Sequence, residues 1–280
     1  MLAKTQGFCF GVDRSIKITN NLIKENKNIC TLGSIIHNPE VVKNLEDKGV
    51  RVIDNPSELP DGFSLVIRSH GISKGVMEYL NNHAIDYKDA TCPFVKKIHH
   101  IVKNNNDKDI LLAAGNENHP EMIGIRSYFN NESYVFNCLE DLYELFKNHP
   151  EIKDKKTLAV SQTTFSYEKW LNCTEFLKGT LTNLCIFDTI CNTTYLRQKE
   201  AEEIARTCEI VLIVGGKKSS NTNKLYDICK KYSRAFLIEN EKELKNLDLT
   251  NISKIGIVSG ASTSMDAIKK VKIYLENNCK

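Results

Sequence analysis

Long apolar runs, closely paired cysteines and a strong excess of one charge are all missing from this 280-residue chain. No stretch approaches the ~18 consecutive apolar residues that a membrane-spanning helix needs, so no membrane partner is expected. The opening residues Met1-Leu2-Ala3-Lys4-Thr5-Gln6 hold no apolar signal core, and the expected location is cytoplasmic. Lysine and arginine number 38 against 35 acidic residues, a formal net charge of +3 that is too slight to argue for nucleic acid. None of the ten cysteines forms a Cys-x-x-Cys pair, and no His-Glu-x-x-His occurs. A zinc site normally shows such close ligand pairs, so the absence weighs against zinc. Disulfides are not expected in a chain that reads as intracellular. A Walker-type phosphate loop is also absent, which excludes that kind of nucleotide site.

What the chain does have is a pattern that occurs three times. Each copy carries one cysteine, in Phe8-Cys9-Phe10, Thr91-Cys92-Pro93 and Ile190-Cys191-Asn192. A helix-like stretch follows each cysteine, then an apolar run: Ile29–Gly33, Ile110–Gly115 and Ile210–Gly216. The runs end in His37-Asn38-Pro39-Glu40, His119-Pro120-Glu121 and Ser219-Ser220-Asn221. The distances from cysteine to motif are 28 residues (Cys9 to His37), 27 (Cys92 to His119) and 28 (Cys191 to Ser219). A second strand follows in each copy at 50–53, 134–136 and 235–238, leading into Ser57-Glu58-Leu59, Glu140-Asp141-Leu142 and Lys242-Glu243-Leu244, each read as a helix start. A third strand then ends at Ser69-His70-Gly71, Gln162-Thr163-Thr164 and Gly260-Ala261-Ser262.

Apolar runs punctuated by glycine and alternating with helical patterns read as parallel βα units. The fold class expected is therefore α/β: three similar small domains with mostly parallel sheets, in a pseudo-threefold arrangement around a common centre. The divisions fall at residues 1–92, 93–188 and 189–280, with the N-terminal strand able to pack on the third module. Ligands of such sheets sit beyond the carboxyl ends of the strands, where all the polar motifs lie.

Three thiolates at matched points suit an iron–sulfur cluster, and with only three one iron is left open to substrate. The bland alternative is that Cys9, Cys92 and Cys191 are core residues, as Cys30, Cys185, Cys208 and Cys229 read from their apolar surroundings. Cys138, Cys173 and Cys279 have no counterparts in the repeat and receive no role. His37, His70 and His119 occupy matched post-strand positions, although any one of them could be a capping or core histidine. With Ser219, Ser220, Asn221, Ser262 and the adjoining helix N-termini they form a plausible cradle for a small diphosphate or dicarboxylate. Glu121, fixed at a helix start after His119-Pro120, reads either as a general acid or as a carboxylate serving the helix dipole. Glu40 is the matched dipole case. Lys4, Arg14, Arg68 and Arg197 lie near strand ends or cysteines, and surface ion pairing is the fate expected of each.

In order along the whole chain, these motifs resemble the 4-hydroxy-3-methylbut-2-enyl diphosphate reductase family. The matching stretches are Gly7-Phe8-Cys9-Phe10-Gly11-Val12-Asp13-Arg14, His37-Asn38-Pro39, Ser69-His70-Gly71, Asp89-Ala90-Thr91-Cys92-Pro93, His119-Pro120-Glu121, Ser161-Gln162-Thr163-Thr164 and Thr189-Ile190-Cys191 with Arg197-Gln198. Ser219-Ser220-Asn221-Thr222-Asn223 and Gly260-Ala261-Ser262 complete them. The resemblance implies a trefoil of α/β domains around a [4Fe-4S] cluster held by Cys9, Cys92 and Cys191. It implies that His37, His70, His119, Thr163, Ser219, Ser220, Asn221 and Ser262 hold the substrate, and that Glu121 feeds protons. The reaction implied removes an allylic hydroxyl with two electrons, giving isopentenyl and dimethylallyl diphosphate, with a ferredoxin or flavodoxin as donor. Departures from the family pattern are Phe10, Ser69, Asn118 and Asn192-Thr193-Thr194; Phe10 could crowd the cluster entrance. Two rival readings are a quinolinate-synthase-like cluster dehydratase without net redox chemistry and a non-catalytic iron–sulfur sensor.

Overall fold

The computed structural model describes residues 1–25 and 27–278, so Cys279 lies outside the described residues. By its internal contacts the chain divides into two compact units. The larger comprises residues 14–35 and 45–191, the smaller 1–13, 36–44 and 192–280.

Two parallel sheets make up the larger unit. Strands β1 (Asn28–Leu32), β2 (Arg51–Ile53), β3 (Phe63–Ile67) and β4 (Tyr87–Asp89) run in the order β2-β1-β3-β4. Strands β5 (Ile110–Ala114), β6 (Glu132–Phe136), β7 (Thr157–Ser161) and β8 (Leu184–Ile186) repeat that order as β6-β5-β7-β8. In the smaller unit, β9 (Ile210–Val214), β10 (Arg234–Ile238) and β11 (Ile255–Ser259) run β10-β9-β11. Leu2 adds a parallel bridge to Ile257, so the start of the chain takes the edge position that β4 and β8 take in the other sheets.

The helices are α1 (Phe10–Lys24), α2 (Pro39–Glu46), α3 (Lys74–Asn82), α4 (Pro93–Asn104), α5 (Pro120–Ser127), α6 (Leu139–Asn148), α7 (Tyr167–Thr180), α8 (Asn192–Ala205), α9 (Ser220–Cys229) and α10 (Met265–Asn278). Each expected third-strand segment is a strand, and each sheet is parallel throughout. Two of the three expected helix starts are instead 3-10 turns, Pro56–Glu58 and Glu241–Asn246. The connection from β2 to β3 is too short for a full helix, and Leu59, held extended before Pro60, ends the turn. Glu140-Asp141-Leu142 does lie in a helix, α6, where the Asp141 carboxylate accepts the N–H groups of Asn137 and Cys138 at 2.6 and 3.2 Å.

The central strands are apolar along their length because both faces are covered, as parallel sheets require. On β5, Ile110, Leu112 and Ala114 pack with Phe136, Phe146, Phe165 and Trp170, while Leu111 and Ala113 face Met122, Ile98 and Ile125. On β9, Val211 and Ile213 meet Ala201, Ile204 and Leu225, and Leu212 and Val214 meet Ile238, Leu244 and Val271. Of the cysteines read as small core residues, Cys30, Cys208 and Cys229 are buried and Cys185 is half-buried. Cys173, given no role, is also in the core, where burial pushes its thiol pKa up to about 11. With both faces of the central strands covered, the polar motifs stand beyond the carboxyl ends of the strands.

Candidate active-site residues

Each cysteine of the repeat stands immediately before a helix: Cys9 before α1, Cys92 before α4 and Cys191 before α8. The positive end of a helix favours negative charge at that point. Each cysteine is also anchored in the same way. The N–H of Cys92 donates to the carbonyl of Ser69 at 2.9 Å, and that of Cys191 to the carbonyl of Thr163 at 3.0 Å. In the smaller unit the N–H of Cys9 donates to the carbonyl of Ala261 at 2.9 Å. The acceptors are the equivalent residues of the motifs that follow β3, β7 and β11. All three cysteines are half-buried, whereas Cys30, Cys173, Cys208 and Cys229 are buried. Among the described residues no disulfide forms. Three soft donors, alike in anchorage and access and clear of any disulfide, fit a thiolate-ligated cluster.

In the larger unit, Glu121 sits in the first turn of α5, 1% exposed. Its two carboxylate oxygens accept from Thr163, one from the backbone N–H at 2.7 Å and the other from Oγ at 2.9 Å. Burial pushes the Glu121 pKa up from 4.5 to about 7, and the two Thr163 hydrogen bonds act in the opposite direction. A carboxyl poised near neutrality at a helix start can both give and take a proton. The dipole-only reading does not explain a carboxylate turned inward onto Thr163; Glu40, its counterpart at the start of α2, is exposed.

His119 caps α5, and its Nδ1 accepts the Glu121 N–H at 3.1 Å. A neutral His119 must therefore carry its proton on Nε2. His70 lies edge-on to it, with ring centroids 5.3 Å apart and planes at 85°. The larger unit thus brings Cys191, Thr163, Glu121, His119 and His70 into one connected group, with Cys92 tied to the residue before His70.

The smaller unit assembles a second group. Ser219 caps α9, accepting the Thr222 N–H at 3.4 Å. Asn221, 3% exposed, has no hydrogen-bond partner for either its amide nitrogen or its amide oxygen among the described residues. A buried amide left unsatisfied is costly, so its position calls for a partner from outside the chain. Ser262 Oγ donates to the carbonyl of His37 at 3.3 Å, and Asn38 Nδ2 donates to the carbonyl of Ser262 at 2.7 Å. A Cβ on Gly216 would lie 2.8 Å from the His37 oxygen, so only glycine lets the end of β9 approach that segment. His37, Asn38 and Ser262 are thus fastened to the sheet end from which Ser219 and Asn221 project, with Ser220 as the first residue of α9.

Among the described residues Arg14, Arg68 and Arg197 bind backbone oxygens rather than surface carboxylates. Arg14 donates to the carbonyls of Thr91 and Asp89, both at 3.2 Å. Arg68 packs against Gly33 and donates from Nε to the Gly71 carbonyl at 3.4 Å. Arg197 is 4% exposed and binds backbone oxygens. Strand-end carbonyls, left over by the sheets, outcompete surface carboxylates for these side chains. Asn38 is a motif residue whose own role the sequence leaves unassigned, although asparagine before proline is a helix-start signal; its Oδ1 accepts the Val41 N–H at 3.2 Å. Gln162 is another: it is 2% exposed, its Oε1 accepts the Asn116 N–H at 3.3 Å, and its Nε2 has no partner among the described residues. Phe10 is 61% exposed.

A family model described as LytB protein matches residues 1–276. The chain is similar to the 4-hydroxy-3-methylbut-2-enyl diphosphate reductase of Thermoanaerobacter pseudethanolicus, 39% identical over 282 residues that cover 97% of this chain and 96% of that one. It is 40% identical to the enzyme of the same name from Campylobacter hominis over 281 residues, 99% of this chain and 98% of that one. Among solved structures it resembles the E-1-hydroxy-2-methyl-but-2-enyl-4-diphosphate reductase of Plasmodium falciparum, at 30% identity and a TM-score of 0.91 over 99% of this chain and 88% of that one. A second structure, of (E)-4-hydroxy-3-methyl-but-2-enyl diphosphate reductase described as the terminal enzyme of the non-mevalonate pathway, matches at 34% identity and a TM-score of 0.68, over 99% of this chain and 98% of that one.

Proposed function

We propose a division of labour for these residues on one premise: the chain belongs to the LytB family, whose members named above are reductases of 4-hydroxy-3-methylbut-2-enyl diphosphate. It is an oxidoreductase that converts this substrate to isopentenyl and dimethylallyl diphosphate. The conversion consumes two electrons and two protons: the hydroxyl leaves as water, and the allylic fragment takes the second proton at one of two carbons, which gives the two products. Cys9, Cys92 and Cys191 are the ligands of a [4Fe-4S] cluster in this proposal, and the same reading treats residues 1–92, 93–188 and 189–280 as its three modules. When bound, the cluster supplies an open iron for the substrate hydroxyl and electrons one at a time.

Glu121 is the proton source. With a pKa of about 7 it is partly protonated at neutral pH, and its contact with Thr163 Oγ gives the proton a short route to bound substrate. His119, its Nδ1 occupied by the Glu121 N–H, offers an Nε2–H donor. Asn221, Ser219 and Ser220 hold phosphate oxygens at the N-terminus of α9, where backbone N–H groups and the helix dipole favour an anion. His37, His70 and Ser262 complete the grip on the diphosphate, and Thr163 positions both proton donor and substrate. A ferredoxin or flavodoxin delivers the electrons.

The observation that carries this reading is one string of contacts. Cys191 N–H donates to Thr163 O, Thr163 N–H and Oγ–H donate to Glu121, and Glu121 N–H donates to His119. Through Thr163 it ties the proton donor to a proposed cluster ligand. The test is anaerobic incubation of the protein with a reduced viologen dye and the substrate, followed by chromatography of the products. Both isoprenoid diphosphates are expected from the wild type. Glu121→Gln is expected to keep its iron and lose ~10²–10⁴-fold in turnover, the range for a missing acid catalyst. Full turnover in Glu121→Gln would remove Glu121 from the chemistry.

A further inference from the structure

The chain from Lys4 to Cys9 has no regular structure of its own, yet it delivers one of the proposed ligands. Two side chains of α8 hold it. The Glu200 carboxylate accepts from the backbone N–H groups of Lys4 and Thr5 and from the Thr5 hydroxyl. One turn earlier, Arg197 donates from Nη2 to the carbonyl of Gly7 at 2.7 Å. Its Nη1 donates to the carbonyl of Ser259 at 2.7 Å and to Ser259 Oγ at 3.2 Å, with a longer contact to the Gly260 carbonyl at 3.4 Å. Gly260 precedes Ala261, whose carbonyl takes the Cys9 N–H. Arg197 therefore bridges the two backbone segments that fix Cys9, one on each side of it.

The hydrogen bonds of this guanidinium run to uncharged oxygens, and its Nε has no partner among the described residues. A buried cation with only neutral partners is expensive unless an anion lies nearby. Burial lowers the Arg197 pKa, and the opposing influence comes first from Cys9 and then from Glu200. Glu200 is already engaged by three donors of the loop. What the geometry places next to Arg197 is the backbone on either side of Cys9, at Gly7 and Gly260.

We propose that Arg197 is a positioning residue for the cluster: it clamps the Gly7–Cys9 loop and supplies the fixed positive charge that sets the cluster's reduction potential, while Glu200 performs only the mechanical half of that clamp. This rests on the cluster reading above. A fixed positive charge favours the reduced, more negative state, so removing it makes reduction harder. The guanidinium fork also suits the two diverging carbonyls in a way an ammonium does not.

The test is a redox titration of anaerobically purified protein, followed by electron paramagnetic resonance, with iron content measured in parallel. Arg197→Gln is expected to lower the reduced-to-oxidised ratio at a fixed potential about tenfold, a shift of ~59 mV for a one-electron couple. Arg197→Lys keeps the charge but not the fork, so it is expected to hold a near wild-type potential and lose iron faster. Glu200→Gln loosens the loop without removing the cation, so it is expected to lose iron faster with no fall in potential. An unchanged potential in iron-loaded Arg197→Gln overturns the proposal. If that variant never loads iron, initial loading of Arg197→Lys at a near wild-type potential supports the role of charge, and failure of both variants to load refutes it. Wild-type protein that binds no iron under the same conditions sinks the cluster reading itself, which is a different failure.

Discussion

Glu121 makes the stability of this protein depend on pH in a way that one substitution should abolish. The folded carboxyl holds its proton up to about pH 7, against 4.5 for an unburied glutamate. Below pH 4.5 the group is protonated folded and unfolded, and it costs nothing. Between 4.5 and about 7 the unfolded chain ionises while the folded one keeps its proton, so folding stability falls as pH rises. Each tenfold difference in proton affinity is worth ~1.4 kcal/mol, so the full penalty is about 3 kcal/mol, complete above neutrality. Glu121→Gln mimics the protonated group: its oxygen can accept the Thr163 N–H, and its NH₂ can donate to Thr163 Oγ with the hydroxyl turned round. Anaerobic urea unfolding of both proteins at intervals from pH 4 to 8 reads the difference. The variant should match the wild type at the acid end and exceed it by about 3 kcal/mol at the other. A difference that stays flat across that range would refute the assignment of a raised pKa to Glu121.

Three further outcomes follow from the same geometry. Asn221→Ala removes two buried polar atoms that lack protein partners, so urea stability should be unchanged or higher while KM for the substrate rises roughly tenfold, equivalent to about 1.4 kcal/mol. A fall in stability without a change in KM would make Asn221 structural. Thr163→Val takes away one hydrogen bond that favours the ionised Glu121, so the pH at which turnover declines should move upward from its wild-type position; a limb that stays put would disconnect Thr163 from the acid. Trp170→Ala hollows the core behind β5 and should cost about 3–5 kcal/mol in urea unfolding without altering iron content or KM.

The parallel sheets were legible where strands are buried on both faces. Ile110–Ala114 and Ile210–Val214 are unbroken apolar runs because neighbours cover them above and below. The outer strands β4 and β8 were not. Tyr87–Asp89 and Leu184–Ile186 are three residues long and partly exposed, and only pairing to β3 and β7 makes them strands. The bridge from Leu2 to Ile257 has the same origin: a contact across 255 residues of chain leaves no local pattern. At the candidate site, the cysteines and post-strand motifs stood out because the repeat marks them. Arg197 did not, since a lone arginine reads as surface, although the signal was present. Arg197, Ala201, Ile204 and Ala205 are all buried and fall at helical spacing, which puts Arg197 on the inward stripe of α8. The unpartnered amide of Asn221 and the inward turn of Glu121 depend on what surrounds them in the fold, and spacing cannot supply that.

The central claim is that Cys9, Cys92 and Cys191 jointly hold the redox centre. The measurement that meets it most directly is the iron and acid-labile sulfide content, per chain, of anaerobically purified Cys9→Ser, Cys92→Ser and Cys191→Ser, with Cys138→Ser as the control outside the repeat. The account predicts that each of the three loses most of its iron while the control retains wild-type content and colour. A full complement of iron and sulfide in any of the three variants would contradict it.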